Sequence, residues 1–134
     1  MSKEQPKYLY DGISSAGIQR AATLLWPEWI EVEGCVVRRD VADVENVRRW
    51  LATEGGSVPR TEWALNHVHL YDEVEGDEPQ QLLDQRLIDV AERLAAAWRA
   101  SLAEAFPSRR FQVEIASPDE DYGPTIYAFS APPD

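Results

Sequence analysis

The spacing of apolar positions changes several times along the chain, and each change marks an element. Ile18, Ala21, Ala22 and Leu25 recur at helical spacing behind Ser14 or Ser15, either of which can cap a helix. Pro27 ends that run and pushes Trp26 towards an extended conformation. From Trp29 to Arg39 the period falls to two. Ile30, Val32, Gly34 and Val36 lie on one side and Glu31, Glu33 and Arg39 on the other, which predicts a half-buried strand with Gly34 at a bulge. Asp40 then stands where a helix cap is expected, with Asp43 in the first turn. Val44, Val47, Trp50 and Leu51 supply the apolar face of that helix, and Gly55-Gly56 closes it.

Further on, Pro59 to Leu65 reads as a short helix with Pro59 in its first turn, and Asn66 to Tyr71 reads as a strand. Glu73 to Glu78 is an acidic loop. A long helix is expected over about residues 79–106, on a stripe of Leu83, Leu87, Val90, Leu94, Ala97 or Trp98, Leu102 and Ala105. Such a helix spans about 40 Å, enough to cross a small sheet. Arg110 to Ala116 alternates with Phe111, Val113 and Ile115 inward. Residues 117–124 form a loop, and Thr125 to Ser130 is a last strand in a hairpin with the previous one, read as lying at a sheet edge. Residues 1–12 read as a flexible polar arm and 13–134 as a single α+β domain. The expected architecture is a mostly antiparallel sheet of about four strands packed against two to three helices, one of them long.

Charge narrows the functional classes. The 134 residues include 24 acidic and 13 basic ones, a formal net charge of −11. Binding of nucleic acid needs clustered Lys and Arg to neutralise phosphates, and the pairs Arg38-Arg39, Arg48-Arg49 and Arg109-Arg110 make no continuous tract. The same sign disfavours an anionic membrane surface, and no stretch approaches the length of an apolar membrane span. A partner with a basic surface is favoured by long-range attraction. Cys35 is the only cysteine, and its place in Cys35-Val36-Val37 reads as a buried, inert thiol. With no apolar signal core at the N-terminus, the chain is read as cytoplasmic.

Candidate chemistry is sparse. His67-x-His69 in a strand places two imidazoles on one face, where they can meet one metal, but a tight site needs further ligands and the chain has no other histidine. Asp72, Glu73, Glu75, Asp77 and Glu78 form one acidic cluster, and Asp119, Glu120 and Asp121 a second. Their spacing does not fit a calcium loop. Gly12 to Gly17 can present amides to an anion, but the helix lacks an accompanying Lys and ordinary capping accounts for the segment better. Neither a nucleophile elbow nor a phosphate loop occurs, no cofactor is called for, and the balance lies against an enzyme. Five tryptophans are present. Trp50 and Trp98 fall on helix stripes as core residues, whereas one of Trp26, Trp29 and Trp63 is expected at the surface.

In size, acidity, tryptophan content and lack of catalytic motifs, the profile resembles that of bacterial immunity proteins and other small toxin inhibitors. The likeness is one of composition and size over the whole chain. It implies a protein-binding module that masks a basic partner, steered by the acidic clusters 72–78 and 119–121 and anchored by Trp63 and Tyr122. Two alternatives stand beside it: an enzyme or metal- or small-ligand-binding protein centred on His67 and His69, and a self-assembling subunit that forms a homodimer through its last strand.

Overall fold

A computed structural model describes residues 12–116 and 122–132. The arm up to residue 11 and the acidic trio Asp119, Glu120 and Asp121 lie outside the described residues. The chain belongs to the α+β class, with antiparallel strands and one long helix.

The first helix, α1 (Ser15–Leu25), is capped by Ser14, whose Oγ accepts the Gly17 amide at 3.0 Å. Its buried residue is Leu24, while Ile18 and Leu25 are exposed. The expected stripe is therefore rotated. Small and apolar residues surround this helix on several sides, and docking on the long helix selects the face. Trp98 from that helix donates its Nε1 to the Leu24 carbonyl at 2.8 Å, which seats the end of α1.

The strand expected over Trp29–Arg39 is a hairpin. β1 (Trp29–Val32) turns through Glu33 and Gly34, both at positive φ, into β2 (Cys35–Arg38), with Val32 opposite Cys35. Two left-handed residues suit the twist of a two-residue hairpin loop. Gly34 takes that conformation freely, and Glu33 takes it at a cost. The alternation runs on through the turn, so it conceals the reversal. The next helix, α2 (Val44–Thr53), is capped by Asp43, whose carboxylate accepts the Asn46 amide. Asp40 sits instead in a 3-10 turn and receives the guanidinium of Arg38 at 2.9 Å. α3 (Val58–Asn66) begins behind Ser57 with proline in its first turn, and leads into the two-residue strand β3 (Val68–His69). A 3-10 turn over Leu70–Glu73 follows, so the strand expected through Tyr71 stops early. The long helix is α4 (Gln80–Ala105), and its Arg93 and Asp89 make the i,i+4 pair at 3.0 Å. β4 (Phe111–Ala116) and β5 (Thr125–Ser130) close the fold as an antiparallel pair.

Strand order gives a second correction. β1 and β2 form one sheet, and β3, β5 and β4 form another in that order. The last strand is thus the middle of its sheet. β3 flanks it only at Thr125 and Ile126, and beyond them side chains of α3 cover the edge read from the sequence as the homodimer contact.

Helix α3 joins the two sheets. Glu62 is fully buried, and its two carboxylate oxygens accept the amides of Val36 on β2 and Ser130 on β5, each at 2.8 Å. Asn66 accepts the Arg38 amide and donates to the carbonyls of Val36 and Ala128. These two side chains satisfy strand-edge groups that no neighbouring strand reaches, a role that a buried polar group must fill to be tolerated. Arg109 approaches Glu62 at 3.6 Å and also holds Ser130 and the Gly34 carbonyl.

Two apolar clusters result. The larger packs α4, through Leu87, Leu94 and Trp98, against Val36, Val113, Ile126 and Ala128. The smaller gathers Cys35, Val37, Val47 and Leu65, with Trp50 half-buried beside it. Trp29 is buried and meets Trp98 edge-on at 5.4 Å, so Trp26 and Trp63 are both exposed where one surface tryptophan was expected.

Candidate functional site: a strip of rings on the outer face of the second sheet

The two faces of β5 differ. Ile126 and Ala128 point into the larger core, and Thr125, Tyr127 and Phe129 alternate with them onto the other face. Register places Glu114 opposite Tyr127 and Gln112 opposite Phe129 on that outer face. α3 lays Trp63 flat over Tyr127, with ring centroids 4.5 Å apart and planes within 4°. From there the rings continue. His67 lies 6.0 Å from Tyr127, His69 lies 4.7 Å from His67, Tyr122 lies 5.4 Å from His69, and Tyr71 lies 5.6 Å from Tyr122. Six rings make one strip, open to solvent at Trp63 (46% exposed) and Tyr122 (57% exposed). Beside Trp63 the strip runs into a groove of about 330 Å3 lined by Glu54, Pro59, Arg60, Trp63 and Phe129.

The far end is held by packing and hydrogen bonds. A Cβ on Gly123 would fall 2.4 Å from the Tyr71 ring, and Gly123 also has φ +68, so only glycine fits there. The Tyr71 hydroxyl donates to Asp84 and accepts from Gln80. The bond to Asp84 raises the pKa of the phenol above its ordinary value, because ionisation would break it.

Among the residues expected at a binding site, Trp63, Tyr122, His67 and His69 come together in this strip. Asp72 follows Tyr71 directly in the chain and is exposed, as are Glu75 and Asp77. Glu73 is half-buried and paired with Arg20, and Glu78 pairs with Arg86 at 2.9 Å, so these two are partly neutralised within the molecule. Asp119, Glu120 and Asp121 lie outside the described residues, although Tyr122 follows them in the chain. Tyr127, Tyr71 and Phe129 were not picked out by the sequence reading. The signal was present in Thr125-Ile126-Tyr127-Ala128-Phe129, where the outward parity of a two-faced strand carries rings.

A second concavity is built differently. A cleft of about 280 Å3 has Arg20, Arg38 and Arg39 on its wall beside the exposed Trp26. Each guanidinium already meets a carboxylate: Arg20 meets Glu73 and Asp40, Arg38 meets Asp40, and Arg39 meets Glu28. Burial lowers the Arg38 basicity, with Asp40 opposing that effect.

Cys35 is fully buried with Val37, Val47 and Leu65. Desolvation, reinforced by the charge of Glu62, pushes its thiol up to about 11. A thiol held protonated in this way is a poor nucleophile, as the inert reading expects. Among the described residues no group of three or more His, Cys, Asp or Glu side chains is placed to hold a metal, and no helix is long and apolar enough to cross a membrane. Comparison with family models, curated proteins and solved structures returned no match.

Proposed function

We propose that this chain is an acidic protein-binding module of the inhibitor or toxin-immunity type, which masks a basic surface on its partner. The observation that supports it is the ring strip from Trp63 to Tyr122 and Tyr71, exposed at Trp63 and Tyr122 and running into the acidic segment that starts at Asp72. Aromatic side chains supply large contact area at low entropic cost, and acidic groups around them steer a cationic partner into place. In this reading the strip anchors the partner, and Asp72, Glu75 and Asp77 set the rate of encounter.

The test is capture of partners by the tagged protein from its native host at low and moderate salt, followed by binding measurements on the purified pair. A stoichiometric basic partner is expected. Trp63→Ala should weaken its binding by about 30-fold, the loss typical of a central interface tryptophan. The triple reversal Asp72→Lys, Glu75→Lys and Asp77→Lys should slow association and flatten its salt dependence. Failure to capture any partner, or a partner indifferent to Trp63→Ala and to the triple reversal, overturns the reading.

A further inference from the structure

The two histidines have a property that protein binding does not use: their hydrogen bonds decide which ring nitrogen is free. Nδ1 of His67 lies 2.6 Å from the Ala64 carbonyl oxygen. A carbonyl only accepts, so this nitrogen carries a proton and donates it. Nδ1 of His69 lies 2.9 Å from Oγ1 of Thr125. That hydroxyl gives its own proton to the Gly123 carbonyl at 3.0 Å, so towards His69 it accepts, and His69 also donates from Nδ1. In the neutral form both imidazoles therefore hold their lone pair at Nε2. Both are also oriented by an outer acceptor, the arrangement that metal-binding histidines use to fix ring and tautomer.

The ring spacing fits a shared ion. With a metal–nitrogen distance of about 2.1 Å and a ring radius of about 1.1 Å, two imidazoles bound at about 90–110° hold their centroids about 4.5–5.2 Å apart. The centroids of His67 and His69 are 4.7 Å apart, with the planes inclined at 68°. Both residues are extended in backbone conformation, at the join of α3 and β3, so their side chains leave on one face.

We propose that His67 and His69 form a chelating pair for a divalent transition metal of the copper–zinc class, bound through both Nε2 atoms. Imidazole nitrogen selects these ions over calcium and magnesium, which want oxygen ligands. The chain supplies two nitrogens and water completes the coordination. A net charge of −11 concentrates cations around the molecule and assists capture. Thr125 acts as a positioning residue, through the bond that holds the His69 ring.

The experiment is titration of the full chain with Cu2+ alone, read by calorimetry and by the nitrogen hyperfine pattern in electron paramagnetic resonance. One Cu2+ per chain with two ring nitrogens is expected. His67→Asn and His69→Asn should each leave one ring nitrogen and lower affinity at least tenfold, and the double variant should show none. Thr125→Val should keep both nitrogens and weaken binding by about tenfold, the usual effect of losing an outer partner. Circular dichroism of each variant checks folding, and the two-nitrogen pattern of the unaltered protein needs no variant at all. A wild-type signal without two ring nitrogens, or equal binding by the double Asn variant, overturns the proposal. Either result is independent of whether a protein partner is found.

Discussion

The two faces of β5 share a backbone and differ in everything else. Inward, Ile126 and Ala128 meet Val113, Val68 and the α4 stripe, Trp98 included, in a buried apolar core. Outward, Thr125, Tyr127 and Phe129 meet Trp63, the two histidines and a groove open to solvent. The inner face is defined by volume, because close-packed apolar groups have one good arrangement. The outer face is defined by ring contacts and by hydrogen bonds that leave polar atoms available. A single strand thereby serves stability on one side and supports a candidate binding surface on the other.

The sharpest way to break the comparison is Ile126→Ala. It removes buried volume from a fully enclosed site and should cost about 2–5 kcal/mol in denaturant unfolding. The strand edge should respond next. Glu62→Gln keeps one acceptor oxygen for the two amides of Val36 and Ser130, and orphaning the other should cost about 1–3 kcal/mol. On β2 the inward contrast can be read by pH. The unfolded thiol ionises near its ordinary value of 9.0, whereas folded Cys35 keeps its proton to about 11. Between those values unfolding releases a proton, so stability falls as pH rises, by up to about 1.4 kcal/mol per unit. Cys35→Ala should lose that part of the slope, and the wild-type thiol should react with a disulfide reagent at pH 8 only on unfolding. At the join of the two faces, Gly123→Ala should cost more than about 1 kcal/mol and displace Tyr71, seen as a changed near-ultraviolet spectrum. The smallest effect on stability belongs to the outer face. Trp63→Ala loses the stack on Tyr127, worth about 0.5–1.5 kcal/mol, while partner binding drops sharply.

The candidate site was partly legible. Trp63, Tyr122, His67 and His69 were visible singly as residues with an unclaimed role, because a tryptophan off the helix stripes and an i,i+2 histidine pair are local features. That they belong to one strip was not visible. Tyr127 connects Trp63 to His67 only because β5 lies between β3 and β4 and α3 crosses above it. The expected edge position of β5 failed for the same reason: strand order depends on contacts between distant segments. Glu62 left no signal, since a glutamate in a short helix reads as a solvent-facing residue until its two amide donors arrive from β2 and β5.

Local interactions set what the sequence determined alone. The long helix from Gln80, the cap at Ser14, the short helix at Pro59 and the β4–β5 hairpin all follow from spacing and capping within a few residues. Tertiary structure decided the rest. The hairpin reversal at Glu33-Gly34, the buried face of α1, the split into two sheets stitched by Glu62 and Asn66, and the tautomers of both histidines each depend on groups brought together from elsewhere in the chain or by the turn itself. Periodicity records which side of an element is apolar, but not which distant polar atom will find which partner.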